Sequence, residues 1–210
     1  MSLQNRVDPY GALHATEARG AWMGNRGVLH DASKHLVAAW RLQRWITCVL
    51  TFKERRREVF APNRYSELFF LDEATSLAAG HRPCAECRRE RYEEFRAAWA
   101  VGGRGRGSAP GFLKAEAIDR VLHAERLDAG GGKRTYAAVV SSLPDGTIVE
   151  HAGIPHLVRD GTLSPWSLTG YGPAADVAPE TEVAVLTPRS IVLAIQEGFL
   201  PQVHERAGQN

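Results

Sequence analysis

Cys84 and Cys87 stand as a C-x-x-C pair directly after Gly80-His81-Arg82-Pro83. Two thiolates three positions apart, on a turn stiffened by proline, can close on one tetrahedral metal ion. Zinc takes four ligands, and structural zinc sites are usually completed by Cys and His. Cys48 is the only other thiol in the chain and the natural third ligand. For the fourth, His30 ranks first, because it ends a short apolar stretch that could neighbour the Cys48 strand. His35 ranks second and His81 third, the latter being too close to Cys84 for easy geometry. Two rival readings stand beside this one. A redox dithiol would sit in a βαβ pattern, which is missing here. Cys48 could also be inert, since free cysteines are among the most buried residues.

Two further groups carry chemistry. Asp119 and His123 are four positions apart on an expected helix, so they share a face that suits an acid–base pair or two metal ligands. His151 and His156 follow in the next strand and loop. A structural carboxylate–histidine pair is the simpler alternative. Arg55, Arg56 and Arg57, with Arg88 and Arg89, could neutralise nucleic-acid phosphates if they share a surface. They are interleaved with Glu54, Glu58, Glu90 and Glu93, so a solvated, salt-bridged face fits equally well. No G-x-S-x-G elbow, P-loop or dinucleotide fingerprint is present, which removes several enzyme classes.

The elements that must position these residues come from a chain of 210 residues, 44% hydrophobic and 24% charged, an ordinary composition for a globular protein. No apolar run reaches the roughly 18 residues that span a bilayer, and MSLQNRVDPY lacks a signal peptide's apolar core. A cytoplasmic protein without a membrane partner is expected. Residues 1–110 carry 18 Lys/Arg against 12 Asp/Glu, and residues 111–210 carry 8 against 12. The basic half is therefore also the half with the cysteines.

Residues 1–27 read as irregular. Asp31 reads as the N-cap of an amphipathic helix over 32–44. The apolar run from Trp45 to Phe52 predicts a buried strand that returns through Glu58–Phe60. A strand over 68–71 leads into a helix over 73–79, with Asp72 as N-cap and Gly80 as the left-handed residue that ends it. A surface helix runs to Trp99. The five glycines of Val101–Gly111 read as a linker. Beyond it come a helix over 112–127 and strands over 135–143 and 147–151, joined as a hairpin by Pro144-Asp145-Gly146. Residues 152–180 are broken by proline and glycine, with Trp166 and Tyr171 as anchors. A strand over 182–186 precedes a last helix capped by Thr187, with Gly198 past its end.

The stretch around the C-x-x-C pair resembles a known family. Phe69-Phe70, Glu73-Ala74, Ala78-Ala79-Gly80 and Arg82-Pro83-Cys84-x-x-Cys87 are similar to the zinc-binding domain of the Ada-type methylphosphotriester DNA-repair proteins. The resemblance covers about residues 65–88, roughly a ninth of the chain. It implies zinc on Cys84 and Cys87, and a DNA partner. In that family two earlier cysteines spaced C-x-x-x-C complete the site, and one of them accepts a methyl group from DNA. This chain has the single earlier Cys48 and no such spacing, which implies a structural metal instead.

The expected fold is α+β: a zinc-stapled module over 1–100, a linker over 101–111, and a smaller β-rich half over 112–210 ending in a helix. The expected function is a zinc-binding protein with a structural Ada-like site and a nucleic-acid partner. An enzyme with a site near Asp119 and His123 between the halves competes with it. A structural or partner-binding module, which would show no pocket, is the third reading.

Overall fold

A computed structural model describes residues 2–53, 58–104 and 113–204. The fold is α+β, as expected, and is built on two sheets. The first sheet uses β1 (Gln4–Val7), β2 (Leu13–Ala15), β3 (Trp22–Asn25), β4 (Ile46–Cys48), β5 (Leu68–Phe70) and β6 (Arg82–Pro83), in the order β2-β1-β5-β3-β4-β6. Helices α1 (Glu73–Ala78) and α2 (Arg89–Trp99) flank β6 in sequence. After a turn of wide helix at Ala100–Arg104 comes α3 (Ala115–Arg126).

The second sheet uses β7 (Tyr136–Val139), β8 (Ile148–His151), β9 (Ile154–Arg159), β10 (Thr162–Ser167), β11 (Gly170–Tyr171), β12 (Ala175–Asp176) and β13 (Glu182–Val185). Its order is β11-β10-β9-β8-β13-β7, with β12 on the side of β10. Helix α4 (Arg189–Gln196) closes the chain.

Several expected elements are changed by tertiary contacts. Residues 32–44 form no helix. Asp31 instead caps a turn, its Oδ1 accepting from the N–H groups of Ser33 and His35, both at 2.9 Å. The strand after Trp45 stops at Cys48, and Leu50 is already exposed. The segment 58–60 is not a strand, and Phe60 takes a φ of +57°. The Pro144-Asp145-Gly146 turn joins no hairpin, because β13 lies between β7 and β8 and pairs antiparallel with both. Residues 152–180, expected to be broken, hold four strands: Gly153 and Gly161 supply the positive φ of the two tight turns, and Pro155 and Pro165 are accommodated within β9 and β10. Thr187 does not cap α4, as its hydroxyl accepts from the Ile148 N–H at 2.9 Å. Ser190 N–H in the first turn is met instead by the Glu125 carboxylate of α3.

Residues 1–27, expected to be irregular, contain β1, β2 and β3. Two local signals near α1 hold. Asp72 caps α1 through Thr75 N–H at 2.7 Å, and Gly80 follows α1 at a φ of +84°. A side chain at Gly80 would also strike the Arg126 stem at 2.5 Å, so backbone and packing both require glycine there. The linker stretch lies mostly outside the described residues.

The two sheets do not have wholly separate cores. One apolar cluster joins Leu77, Phe95 and Trp99 to Ile118, Leu122, Ile191 and Phe199. A second joins Leu71 and Ala74 to Ile148, Leu157 and Leu186. Polar groups bridge the same seam: Asp72 Oδ2 accepts from Tyr171 Oη at 2.7 Å, and Thr75 Oγ1 from Trp166 Nε1 at 2.9 Å. Trp166 and Tyr171 therefore anchor the later half on α1, as anticipated.

Candidate metal centre and cleft

Parallel pairing of β4 with β6 brings Cys48 to the C-x-x-C pair across 36 residues of sequence. The register sets Ile46 opposite Arg82 and Thr47 opposite Pro83. One step further, the Cys84 N–H donates to Thr47 O at 2.9 Å, and Cys48 faces Cys84. The turn after β6 then swings Cys87 round to the same point. The three sulfur atoms lie within 4.8 Å of one another.

The alternation of strand side chains decides what surrounds them. Met23 sits opposite Cys48 on β3, Asn25 opposite Ile46, and Phe69 opposite Met23 on β5. These side chains share one face and floor a cleft of about 510 Å³, which all three cysteines also line. Leu42, Val49, Leu50 and Phe52 are among its walls. On the opposite face Leu68, Phe70 and Thr47 are buried. Gly24 there leaves room for the Phe70 ring, which a Cβ would meet at 2.7 Å.

The sulfurs share their protons unequally. Cys84 has its pKa lowered to about 2 by hydrogen bonds from Cys48 and then Cys87, and the Glu86 N–H also donates to its Sγ at 3.4 Å. Cys48 is pushed far up, first by those hydrogen bonds with Cys84 and Cys87 and then by burial. Cys87 is pulled down by Cys48, but its bond with Cys84 and its burial outweigh this and leave it raised. Without metal these shifts favour the thiolate on Cys84 and the thiol on Cys48 and Cys87. Thiolates are soft ligands suited to zinc and similar ions.

None of the three expected histidines joins the cluster. His30 stacks on Phe60 at 4.5 Å, with Nδ1 bonded to Ser66 Oγ at 2.7 Å and Nε2 to Ala61 O at 3.2 Å. Both of its ring nitrogens are used. His35 is 80% exposed beside Asp31. His81 is buried against Trp45 and Phe70, with Nε2 accepting from Arg26 at 3.2 Å.

Asp119 and His123 sit on one helix but do not pair. Both Asp119 oxygens accept from Arg82, each at 2.8 Å, in a buried bidentate ion pair. His123 Nδ1 lies 2.9 Å from Arg126 Nη2, and its ring packs edge-on to Trp40 beside a second cavity of about 340 Å³. His151 and His156 pack on each other, with ring centroids 5.8 Å apart.

Of the arginines, Arg88 turns inward: its Nη2 reaches Glu73 at 2.7 Å and its guanidinium covers the Trp22 ring at 3.8 Å. It is therefore not placed for phosphate contact. Arg89 is exposed and lies 3.9 Å from Glu93. Arg55, Arg56 and Arg57 lie outside the described residues.

Sequence reasoning missed the cleft and its one buried carboxylate. Glu67 is 3% exposed and lines the cleft, and its Oε2 accepts from the Phe60 N–H at 2.9 Å. The available signal was an acid directly before the apolar run Leu68–Leu71. No family model, curated protein or solved structure matches this chain. No described helix is long and apolar enough to cross a membrane.

Proposed function

We propose that this chain is a zinc protein in which Cys48, Cys84 and Cys87 hold one Zn²⁺ and leave a fourth position facing the cleft. One observation carries the reading: three sulfur atoms within 4.8 Å of one another, all lining a cavity of about 510 Å³. Closed structural zinc sites use four protein ligands, whereas sites that act on a ligand or substrate keep one position open. The role expected from the sequence therefore changes from a structural staple to an accessible site. The Ada-type resemblance over residues 65–88 fits the thiolate donor set, and the lone earlier cysteine fits an arrangement other than that family's four cysteines.

Metal analysis of the purified protein tests this directly. Wild type should carry about one equivalent of zinc, Cys84→Ser and Cys48→Ser almost none, and His30→Ala the full amount. A full equivalent retained by Cys84→Ser would sink the reading.

A further inference from the structure

Resting on that reading, we infer that the cleft is a small-molecule pocket whose occupant is an apolar thiol, its sulfur taking the fourth metal position and its hydrocarbon lying along the sheet floor. The cleft volume of about 510 Å³ falls in the range of small-molecule sites. Its lining is mostly apolar: Met23, Ile46, Val49, Phe52, Val59 and Phe69 outnumber the polar contributors. Leu42 and Leu50 border it and remain 42% and 53% exposed, so apolar surface at the mouth is uncovered. A hydrocarbon chain that leaves the metal and lies against these two leucines would cover that surface.

The donor chemistry selects the head group. Three thiolates make the bound ion electron-rich and favour a soft fourth ligand over a hard oxygen donor. A thiol meets that demand by binding as its thiolate and releasing its proton to solvent, and a chain attached to it buries against the floor. Zinc is spectroscopically silent, so cobalt reports the coordination instead. The protein loaded with Co²⁺ is titrated with 1-hexanethiol and with ethanethiol while its sulfur-to-metal charge-transfer band is followed.

Both thiols should change the band, and hexanethiol should bind about 200-fold tighter, since each of its four extra methylenes contributes about fourfold when buried. The double variant Leu42→Glu, Leu50→Glu alters only exposed rim positions. It should bring hexanethiol within about tenfold of ethanethiol, both measured in the same variant. Equal affinities for the two thiols in wild type would overturn the inference, as would a variant that keeps the full hexanethiol preference. A normal Co²⁺ spectrum insensitive to both thiols would overturn it while leaving the metal site standing. Failure to bind Co²⁺ at all would overturn the metal reading, and this inference with it.

Discussion

Two chemically unusual regions lie at opposite ends of the same pair of strands, and one of them opens onto the cleft of about 510 Å³. At the C-terminal ends of β4 and β6, Cys48 and Cys84 open onto the cleft. At the N-terminal ends, Trp45 and His81 face each other with ring centroids 5.1 Å apart. Around them gather Arg26, Arg126 and Lys133. Arg26 and Arg126 both stack on the Trp45 ring, at 4.0 and 3.9 Å. Arg26 donates to His81 and to Gly11 O, and Arg126 donates to Gly80 O and Gln43 O. Burial pushes both guanidinium groups down to about 9, which leaves them charged at neutral pH. Carbonyls and an indole face hold the cations at this end, while Arg26 Nη2, Arg126 Nε and His81 Nδ1 are buried without a hydrogen-bond partner. Its residues have the perturbed chemistry that marks many functional sites, yet their partners are protein atoms. Perturbed groups become a site only where a substrate can reach them, and at the cysteine end the cleft supplies that access.

The sharpest way to break this contrast is to change one residue at each end. Cys84→Ser should abolish zinc binding while costing the fold little beyond the lost metal, measured as metal content beside the urea midpoint. Asp119→Asn should do the reverse. It leaves the buried Arg82 guanidinium without its carboxylate, a loss of about 3–5 kcal/mol in urea unfolding. Zinc content should stay at the wild-type value, because the Arg82 guanidinium is bound to Asp119 on α3 and does not line the cleft. A folded Asp119→Asn protein without zinc would mean the two ends are not independent.

What was legible in the sequence follows from how local each signal is. Asp72 and Gly80 are decided within a few residues and take the cap positions that local signals predict, and the C-x-x-C spacing likewise sets Cys84 and Cys87 side by side. Nothing local ties Cys48 to the pair beyond its being the one remaining thiol, and the register of β4 on β6 is what brings it there. His30 misled because a chain end near a strand says nothing about which way a ring turns. Its nitrogens were claimed by Ser66 and Ala61, thirty or more residues away. Asp119 and His123 have helical spacing, but Asp119 pairs with Arg82, 37 residues away, and His123 with Arg126 on the next turn. The Pro144-Asp145-Gly146 turn was real as a turn, and only the later strand β13 revealed that its flanking strands do not pair. The cleft had no sequence signature at all, since it is the shared face of three strands that meet in no contiguous stretch.

Proton release sharpens the cysteine end. Cys84 is ionised across the working pH range, whereas Cys48 and Cys87 keep their protons at neutral pH because their pKa values are raised. Zinc must displace both, so binding should release about two protons, and apparent affinity should climb about 100-fold per pH unit between roughly pH 6 and 8. Competition against a chromophoric chelator at several pH values measures the slope. A slope near zero would mean the sulfurs do not ligate.

The smallest effect concerns the packed end. Lys133 donates to Ala78 O, and its pKa falls from 10.5 to about 7, first through burial and then through Arg26. Between those two values the unfolded chain binds more protons than the folded one, so this residue makes stability rise with pH across that window. At pH 7 and below, its protonation opposes folding. Lys133→Met keeps the stem and removes the charge, which should stabilise the protein by about 1 kcal/mol at pH 7. The variant should also lose part of the wild-type gain between pH 7 and 9, read from urea unfolding at both values. Identical pH dependence in the two proteins would show that Lys133 is solvated rather than pressed against Arg26, and the packed end would then be looser than the cleft beside it.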